Sequence, residues 1–533
     1  MIESIIDMRA PRFRPIALPL SAVLLALVTA CAPVGPDYVR PDAPVDQQWA
    51  EYVEEEFQFE PQDSSDWWQI LGDPVLDQLI ESAYQHNNNV KVAGLRVLEA
   101  RAALGIAVGN QYPQSQVAFG DATRVSASES NANTGGGGDL NYLQYNLGVG
   151  ASWEIDFWGR FRRGIESADA NLLATVASFD DTLVLLAAQV VDTYVVLRTT
   201  EEQLRIGREN LALQQRSYDI VEVLYRNGAS NELDVQQAET LLLSTKATIP
   251  SLEVTLHQSH HALSVLLGMS PGNLSSMIGG EGVIPSVPAK LTVGVPADLL
   301  RQRPDVRRAE LLAVAQNAQV GVATANLYPS FSLSGSLGVA AAGDTDTTRT
   351  GESGIGELFS ADSLTYAIGP SFVWPFLNYG RIKNNIRVQD ARLQQALIQY
   401  RETVIQAERE VVDAMVTYVG SQQQDDILMS AVGSAKRSST LSMLRYKEGF
   451  ADYQRVLDAQ QALFAQEQRY ISNKGVAVRS IAQVYRALGG GWQNNNVSFI
   501  DEATREEMEQ RVDWGEMLET DRANITEDNE SRN

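Results

Sequence analysis

The chain is a duplication, and nothing else in its sequence restricts the fold as strongly. A shift of 221 residues places Trp153 on Trp374, Gly159-Arg160 on Gly380-Arg381, and Val190-Val191-Asp192 on Val411-Val412-Asp413. The same shift places Tyr225 on Tyr446, Gly228 on Gly449, Val235 on Val456 and Leu267-Gly268 on Leu488-Gly489, with no gap. A shift of 216 relates the preceding parts: Val90 to Val306, Ala93 to Ala309, Gly105 to Gly321, and Asn110, Tyr112, Pro113 to Asn326, Tyr328, Pro329. The five-residue difference falls between Pro113 and Trp153, where Gly135 to Gly138 and many Ser/Asn mark a loop of variable length. Each half is expected to run helix, two strands, long helix, hairpin bend, helix. Repeat 1 then covers 76–268, a Gly/Pro/Ser-rich connector 269–296, and repeat 2 297–492.

Period-two alternation identifies the strands, near 114–126 and 142–155 in the first repeat and near 329–341 and 363–376 in the second. From Leu143 to Ile155 every odd position is apolar, and the even positions are Gln144, Asn146, Gly148, Gly150, Ser152 and Glu154. Thirteen residues of alternation fit one bilayer crossing at a tilt of about 45°. A soluble β-sandwich with one wet face is the competing reading of the pattern alone. Trp153, Phe157 and Trp158, and in the other copy Trp374, Phe376 and Tyr379, cluster where strand gives way to helix, as an aromatic girdle would. Four strands cannot close a barrel, since membrane barrels start at about eight. An open edge in hydrocarbon leaves backbone groups unsatisfied, so the chain must associate.

The helices are too long for a compact domain. Val176, Leu183, Val190, Leu197, Leu204, Leu211, Tyr218 and Tyr225 form an unbroken seven-residue row, which predicts a supercoiled helix. From Ile165 to Tyr225, at about 1.5 Å per residue, it would reach roughly 90 Å. The second copy carries Leu397, Val404, Val411, Tyr418, Asp425, Val432, Ser439 and Tyr446, with a more polar lower half. Reversals are expected at Tyr225–Val235 and Tyr446–Val456, where Gly228 and Gly449 supply a permissive backbone. These tips, with Asn227 and Glu448, are the candidate partner-contact surface.

At the amino terminus Arg9, Arg12 and Arg14 precede an apolar stretch from Ile16 to Ala30, short for a membrane span and typical of a signal peptide over 1–30. Val28-Thr29-Ala30-Cys31 fits a bacterial lipobox, and Cys31 is the one cysteine in the chain. Acylation of Cys31 is expected, anchoring the segment 31–75; ordinary cleavage beside an incidental cysteine is the bland alternative. Ala32 lacks the Asp that would retain the lipoprotein at the inner membrane. The formal charge of −25 disfavours nucleic acid and anionic lipid headgroups as partners. The segment 493–533 is expected to be a disordered acidic tail, with 12 Asp/Glu against 4 Arg from Asp501 onward.

Four separated strings carry a family resemblance: "CAPVGPDYVRP" from Cys31, "DWWQILGDPVLDQLI" from Asp66, "LLRQRPDVRRAE" from Leu299 and "NLYP" from Asn326. With the architecture above, the chain resembles the outer-membrane factor (TolC-like) family and its NodT-type efflux lipoprotein branch over Cys31 to Trp492. The resemblance implies an α+β membrane protein: a homotrimer with a 12-stranded β-barrel, four strands per chain, continued by a long α-helical barrel across the periplasm and girdled by a mixed equatorial belt. It implies a channel passing cargo from an inner-membrane transporter and a periplasmic membrane-fusion adaptor to the exterior. It also implies a periplasmic gate in a segment matching Tyr453–Gln461, where Asp458 matches the gate aspartate and three copies would form a carboxylate ring. Gln454 stands where related lipoprotein channels carry an apolar residue, Gln461 where they carry Arg, and Arg455 where the TolC type has a second Asp. An apolar ring and an Arg lock at position 461 are therefore not expected here.

No catalytic constellation emerges, so no enzyme is expected. Glu253, His257 and His261 lie at i, i+4 and i+8 and could face a metal, but nothing nearby completes a zinc site and a surface position is the simpler reading. Gly135 to Gly138 lacks the Lys-Ser/Thr of a phosphate loop. Asp180-Asp181 and Asp425-Asp426 are adjacent on helices and do not face each other. Arg303, Asp305, Arg307 and Arg308 are assigned to contacts at a helix start. No cofactor is expected beyond lipid on Cys31. A periplasmic coiled-coil tether and a passive outer-membrane porin remain as alternatives; the tether does not need membrane-type strands, and the porin has no use for such helices.

Overall fold

A computed structural model describes residues 33–41, 57–58, 64–126, 128, 130, 141–272, 274–279, 282–288, 291–292, 302–344, 354–493 and 497–519. Cys31 and residues 520–533 lie outside the described residues. The main elements among the described residues are eight helices and four strands: α1 (Pro74–His86), α2 (Asn88–Gly109), β1 (Ser115–Ser126), β2 (Asn141–Ile155), α3 (Arg160–Arg226), α4 (Glu232–Leu266), α5 (Pro304–Ala325), β3 (Ser330–Asp344), β4 (Leu364–Val373), α6 (Arg381–Lys447), α7 (Tyr453–Ala487) and α8 (Glu502–Glu509). The duplication is visible in the boundaries, because α3 and α6, and likewise α4 and α7, start and end 221 residues apart, and α2 and α5 are 216 apart. Two compact units result.

The first unit holds the N-terminal segment, the sheet and the helix ends beside it. Its strands are antiparallel in the order β1-β2-β3-β4. Opposite residues such as Val149, Leu337 and Tyr366 share a face, as do Leu147, Val339 and Leu364. That face is exposed, with Val149 at 56%, Leu337 at 52% and Tyr366 at 77%. A soluble sandwich buries its apolar face; this sheet turns it outward, as membrane strands do. The opposite face carries Asn146, Ser152, Ser332, Ser334 and Ser371.

β1 departs from the repeat. It begins 215 residues before β3, although the helices leading into them end 216 apart. The extra residue is Gln114, whose side-chain amide acts as a strand residue: Oε1 accepts from the Glu154 N–H at 2.7 Å, and Nε2 donates to the Glu154 carbonyl at 3.2 Å. One inserted residue moves every following side chain to the other face. Val117, aligned with Leu333 by the 216 shift, therefore lies on the polar face with Phe119. There both side chains cover Gly148 and Gly150 of β2.

Segment 33–39 is fixed to the strand–helix corner of the first unit. Val34 N donates to the Trp158 carbonyl (3.0 Å), Asn317 Nδ2 to the Pro36 carbonyl (2.9 Å), and the buried Arg163 bonds Asp37 (2.7 Å) and Glu166 (2.8 Å). Despite the desolvation cost, those two carboxylates raise the Arg163 pKa and keep it charged.

The second unit holds the long helices and the main core. The Asp66 string supplies its hub: Trp67 stacks on Tyr485 at 5.2 Å, Trp68 meets Tyr84 edge-on, and Leu71, Leu76, Leu79 and Ile80 are fully buried. Asp73 caps α1 through the Val75 N–H (2.9 Å) and accepts from the Tyr194 hydroxyl (2.6 Å). Arg303 is buried and reaches the Ala487 carbonyl, Glu410 and Asp305, tying the start of α5 to α6 and α7. The most apolar window of α3 is 61% buried, so that helix contributes to protein core.

Two expectations are corrected. The seven-residue row on α3 is buried from Leu183 through Leu204, but Tyr225 at its end is 42% exposed. The buried seam passes instead to Asn210, Gln214, Ser217 and Val221, because a strict heptad row drifts about 20° per repeat around a straight helix. The acidic segment from 493 is folded over 497–519. Ile500, Met508 and Leu518 are buried in one cluster with Leu98 of α2, Phe499 is buried against Phe179 of α3, and Asp501 caps α8 by accepting from the Thr504 N–H at 2.8 Å. Composition counted the charges and missed four apolar side chains spaced to turn inward.

Candidate functional site

The tips of both hairpins are built alike. At the end of α3, Ala229 N donates to the Leu224 carbonyl and Gly228 N to the Tyr225 carbonyl, with Gly228 at φ 74°. At the end of α6, Phe450 N and Gly449 N make the same pair of bonds to Arg445 and Tyr446, with Gly449 at φ 75°. Both are Schellman closures, which need a left-handed residue that glycine supplies without strain. Asn227 Nδ2 donates to the Val223 carbonyl, closing the first tip. Asn231 and Asp452 then cap the return helices α4 and α7. Glu448 is exposed at the second tip.

A buried cluster fastens the two hairpins together just behind these turns: Val221, Val235, Ala238 and Leu241 pack with Tyr446, Tyr453, Val456 and Leu457. The Tyr446 and Tyr453 rings meet edge-on at 5.3 Å, and the Tyr446 hydroxyl lies 3.2 Å from Ser230 Oγ, which donates to Asp234 at 2.7 Å. Burial raises the pKa of both tyrosines, so both stay neutral hydrogen-bonding groups at ordinary pH. Nothing in the motif strings marks this polar–aromatic clasp; the signal was the pair of aromatics flanking the second bend.

The four residues that the resemblance assigns to a gate lie together on α7. Gln454, Arg455, Asp458 and Gln461 are all exposed, while Tyr453, Val456, Leu457 and Gln460 turn inward. Gln454 Nε2 donates to Asp458 Oδ1 at 2.8 Å, and Gln454 Oε1 accepts from Gln237 Nε2 of α4 at 3.2 Å. A chain of amides thus runs from α4 through Gln454 to the carboxylate. Gln237 was not anticipated, since only the fold brings it beside α7. Arg455 faces Asp452 at 3.9 Å, a loose exposed pair, and Gln461 supplies no charge. Glu253 is engaged by Arg208 at 3.4 Å, and among the described residues no three His, Cys, Asp or Glu side chains converge on a metal site.

A family profile described as outer membrane efflux protein matches residues 79–269 and 295–490, one match on each repeat. The chain belongs to that family. The efflux-protein family is one of transport channels, and this chain is an outer-membrane channel component of an efflux system. It is 31% identical over 478 residues to the cation efflux system protein CusC of Escherichia coli O6:H1 (strain CFT073), covering 88% of this chain and 98% of that one. It is 28% identical to nodulation protein T of Rhizobium leguminosarum bv. viciae, covering 91% and 96%, which agrees with the NodT-type branch. Among solved structures, the outer-membrane channel OprN superposes with a TM-score of 0.79 at 31% identity, covering 86% of this chain and 99% of that one. The fold class is the one expected: a duplicated α+β efflux protein contributing four strands to a trimeric 12-stranded barrel that is continued by long helices.

Proposed function

We propose that this efflux channel is a gated duct whose periplasmic end is restricted by Asp458 and opened through its hairpin tips. The observation that carries the reading is the Gln237–Gln454–Asp458 chain on the exposed face of α7, close to the tips around Gly228 and Gly449. Three copies of Asp458 around an axis would make a carboxylate ring that favours cations and binds divalent ions. Gln454 orients each carboxylate by one hydrogen bond and ties it to the neighbouring hairpin. The lock is made of hydrogen bonds donated by side-chain amides, weaker than an ion pair with Arg, so modest leverage at the tips suffices to part it. A periplasmic membrane-fusion adaptor and an inner-membrane transporter would supply that leverage at Asn227, Gly228, Glu448 and Gly449.

Lipid on Cys31 would fit the same reading. The chain two residues later is docked at the corner below β2, so an acyl anchor would sit beside the sheet. The cargo is whatever the transporter delivers.

Single-channel conductance of Asp458→Ala in planar bilayers tests the gate. Cation selectivity should fall, block by divalent ions should weaken by an order of magnitude or more, and basal conductance should rise. Unchanged selectivity and block would remove Asp458 from the gate.

A further inference from the structure

The duplication specifies contacts that one chain cannot complete. Within each repeat, the tryptophan that ends the second strand donates to the turn below it: Trp153 Nε1 to the Gln111 carbonyl at 3.1 Å, Trp374 Nε1 to the Leu327 carbonyl at 3.0 Å. These are equivalent positions, and both copies make the bond. The contact from repeat 1 forward to repeat 2 uses Trp158, whose ring stacks on Tyr328 at 4.5 Å and whose Nε1 donates to the Pro329 carbonyl at 2.8 Å. Phe157 packs beside it on Phe331 at 5.6 Å.

The matching forward contact from repeat 2 has its donor side in place and nothing to meet. Tyr379 is the equivalent of Trp158; it is 98% exposed and is held at φ 48°, a left-handed conformation that non-glycine residues adopt at a cost. Around it Trp374, Phe376 and Leu377 are 52%, 70% and 71% exposed. The acceptor side is equally bare in repeat 1, where Tyr112, the equivalent of Tyr328, is 63% exposed and is followed by Pro113. Strands β1 and β4 are at the same time the two unpaired edges of the sheet. In hydrocarbon both must be satisfied.

We propose that Tyr379 of one chain stacks on Tyr112 of a second copy, with its hydroxyl donating to the Pro113 carbonyl there, reproducing between chains what Trp158, Tyr328 and Pro329 do within one. A ring in which repeats alternate makes each forward contact once inside a chain and once across a boundary. The same operation sets the strand register. Ala151 lies opposite Gly335 in β2–β3, and the equivalent pair in β4–β1 is Phe372 opposite Gly120 of the next copy, a large ring beside a residue without a side chain. The unfavourable backbone of Tyr379 then serves to aim its ring at the neighbour.

The inference rests on the closed-ring reading of the channel, and the experiment separates the two. Full-length Tyr112→Cys/Tyr379→Cys protein is treated in membranes with a short thiol-to-thiol cross-linker, next to each single variant and to Trp158→Cys/Tyr328→Cys. The proposal expects covalent dimers and trimers from the first pair alone and a cross-link within the monomer from the second. An oligomer that resists dissociation but gives no ladder from Tyr112/Tyr379, while Trp158/Tyr328 reacts, overturns the contact and leaves the ring intact. Unmodified protein that runs as a monomer overturns the ring itself. Because the cysteine pair could perturb assembly, a benzoylphenylalanine at position 379 provides a second measurement. Its photoadduct should map to residues 106–115 of another copy; mapping to lipid or to its own chain overturns the proposal.

Discussion

Single side chains decide where residues 497–519 dock. Asp501 caps α8 and is paired with Lys91 of α2 at 2.5 Å; that bond, with the Thr504 N–H, pulls its carboxyl down to about 2 from the ordinary 3.8. A carboxylate with a depressed pKa in the folded state stabilises that state above its unfolded value and loses the contribution as pH falls through the folded one. The docking of residues 497–519 should therefore be constant above about pH 4 and weaken between about 4 and 2. In Lys91→Gln the docking should be weaker above pH 4 and lose most of its change between about 4 and 2, read as faster proteolytic cleavage near residue 500 at neutral pH and a flatter acid titration. An unchanged acid profile would mean that Lys91 does not hold Asp501. Gln114 shows the same scale of control over the sheet: one inserted amide turned Val117 and Phe119 to the polar face, and no alternation in β1 announced it.

At the scale of elements, the buried seam between α3 and α7 is polar where a coiled coil would be apolar. Asn210 donates to Glu467 at 2.6 Å, Gln460 donates to Ser217 Oγ at 2.6 Å, and the Gln214 side chain is buried beside them. Such a seam gains little from tight interlocking and leaves α7, which carries Asp458, easier to displace. Burial raises the Glu467 pKa, offset in part by Asn210, Lys436 and Arg205 and reinforced by Glu209. The sign is opposite to that of Asp501: a raised carboxyl stabilises the fold below its unfolded pKa and loses that contribution as pH rises through the folded value. Amide exchange in residues 460–475 of the channel should be slower at pH 5 than at pH 8 after correction for intrinsic rates. Glu467→Gln keeps an acceptor for Asn210 and should abolish the difference, holding exchange near its acid value. A pH dependence that survives in Glu467→Gln would assign it elsewhere. The long helices, their lengths and their bends were legible in the sequence because period and glycine position are local signals. The seam was not, since the heptad row named Leu211 and Tyr218 as its continuation, and only packing shows that Asn210, Gln214 and Ser217 take their place. The resemblance pointed to the exposed face of α7 that carries Asp458, but not to Gln237, which lies on a different hairpin.

For the whole molecule, duplication gives two equivalent helices, α2 and α5, and the segments 33–41 and 497–519 treat them differently. The N-terminal segment runs along α5, with Arg40 paired to Glu310 and the Pro36 carbonyl bonded by Asn317. The C-terminal segment crosses α2 at Gly94, the position equivalent to Glu310, where a Cβ would stand 1.7 Å from the Phe499 carbonyl oxygen. Each helix is thus matched to one terminus, and the acidic tail is structural over the part that crosses. Truncation should divide the tail accordingly. Removal of 520–533 should leave oligomer stability and efflux unchanged. Removal from 497 uncovers Leu98 and Phe179 and loses the burial of Phe499, Ile500, Met508 and Leu518, each worth about 1.5–3 kcal/mol before the entropy of ordering the segment is subtracted. The longer truncation should lower the dissociation temperature of the membrane-extracted oligomer and reduce its yield. If both truncations behave like the intact chain, the crossing at Gly94 contributes nothing to stability.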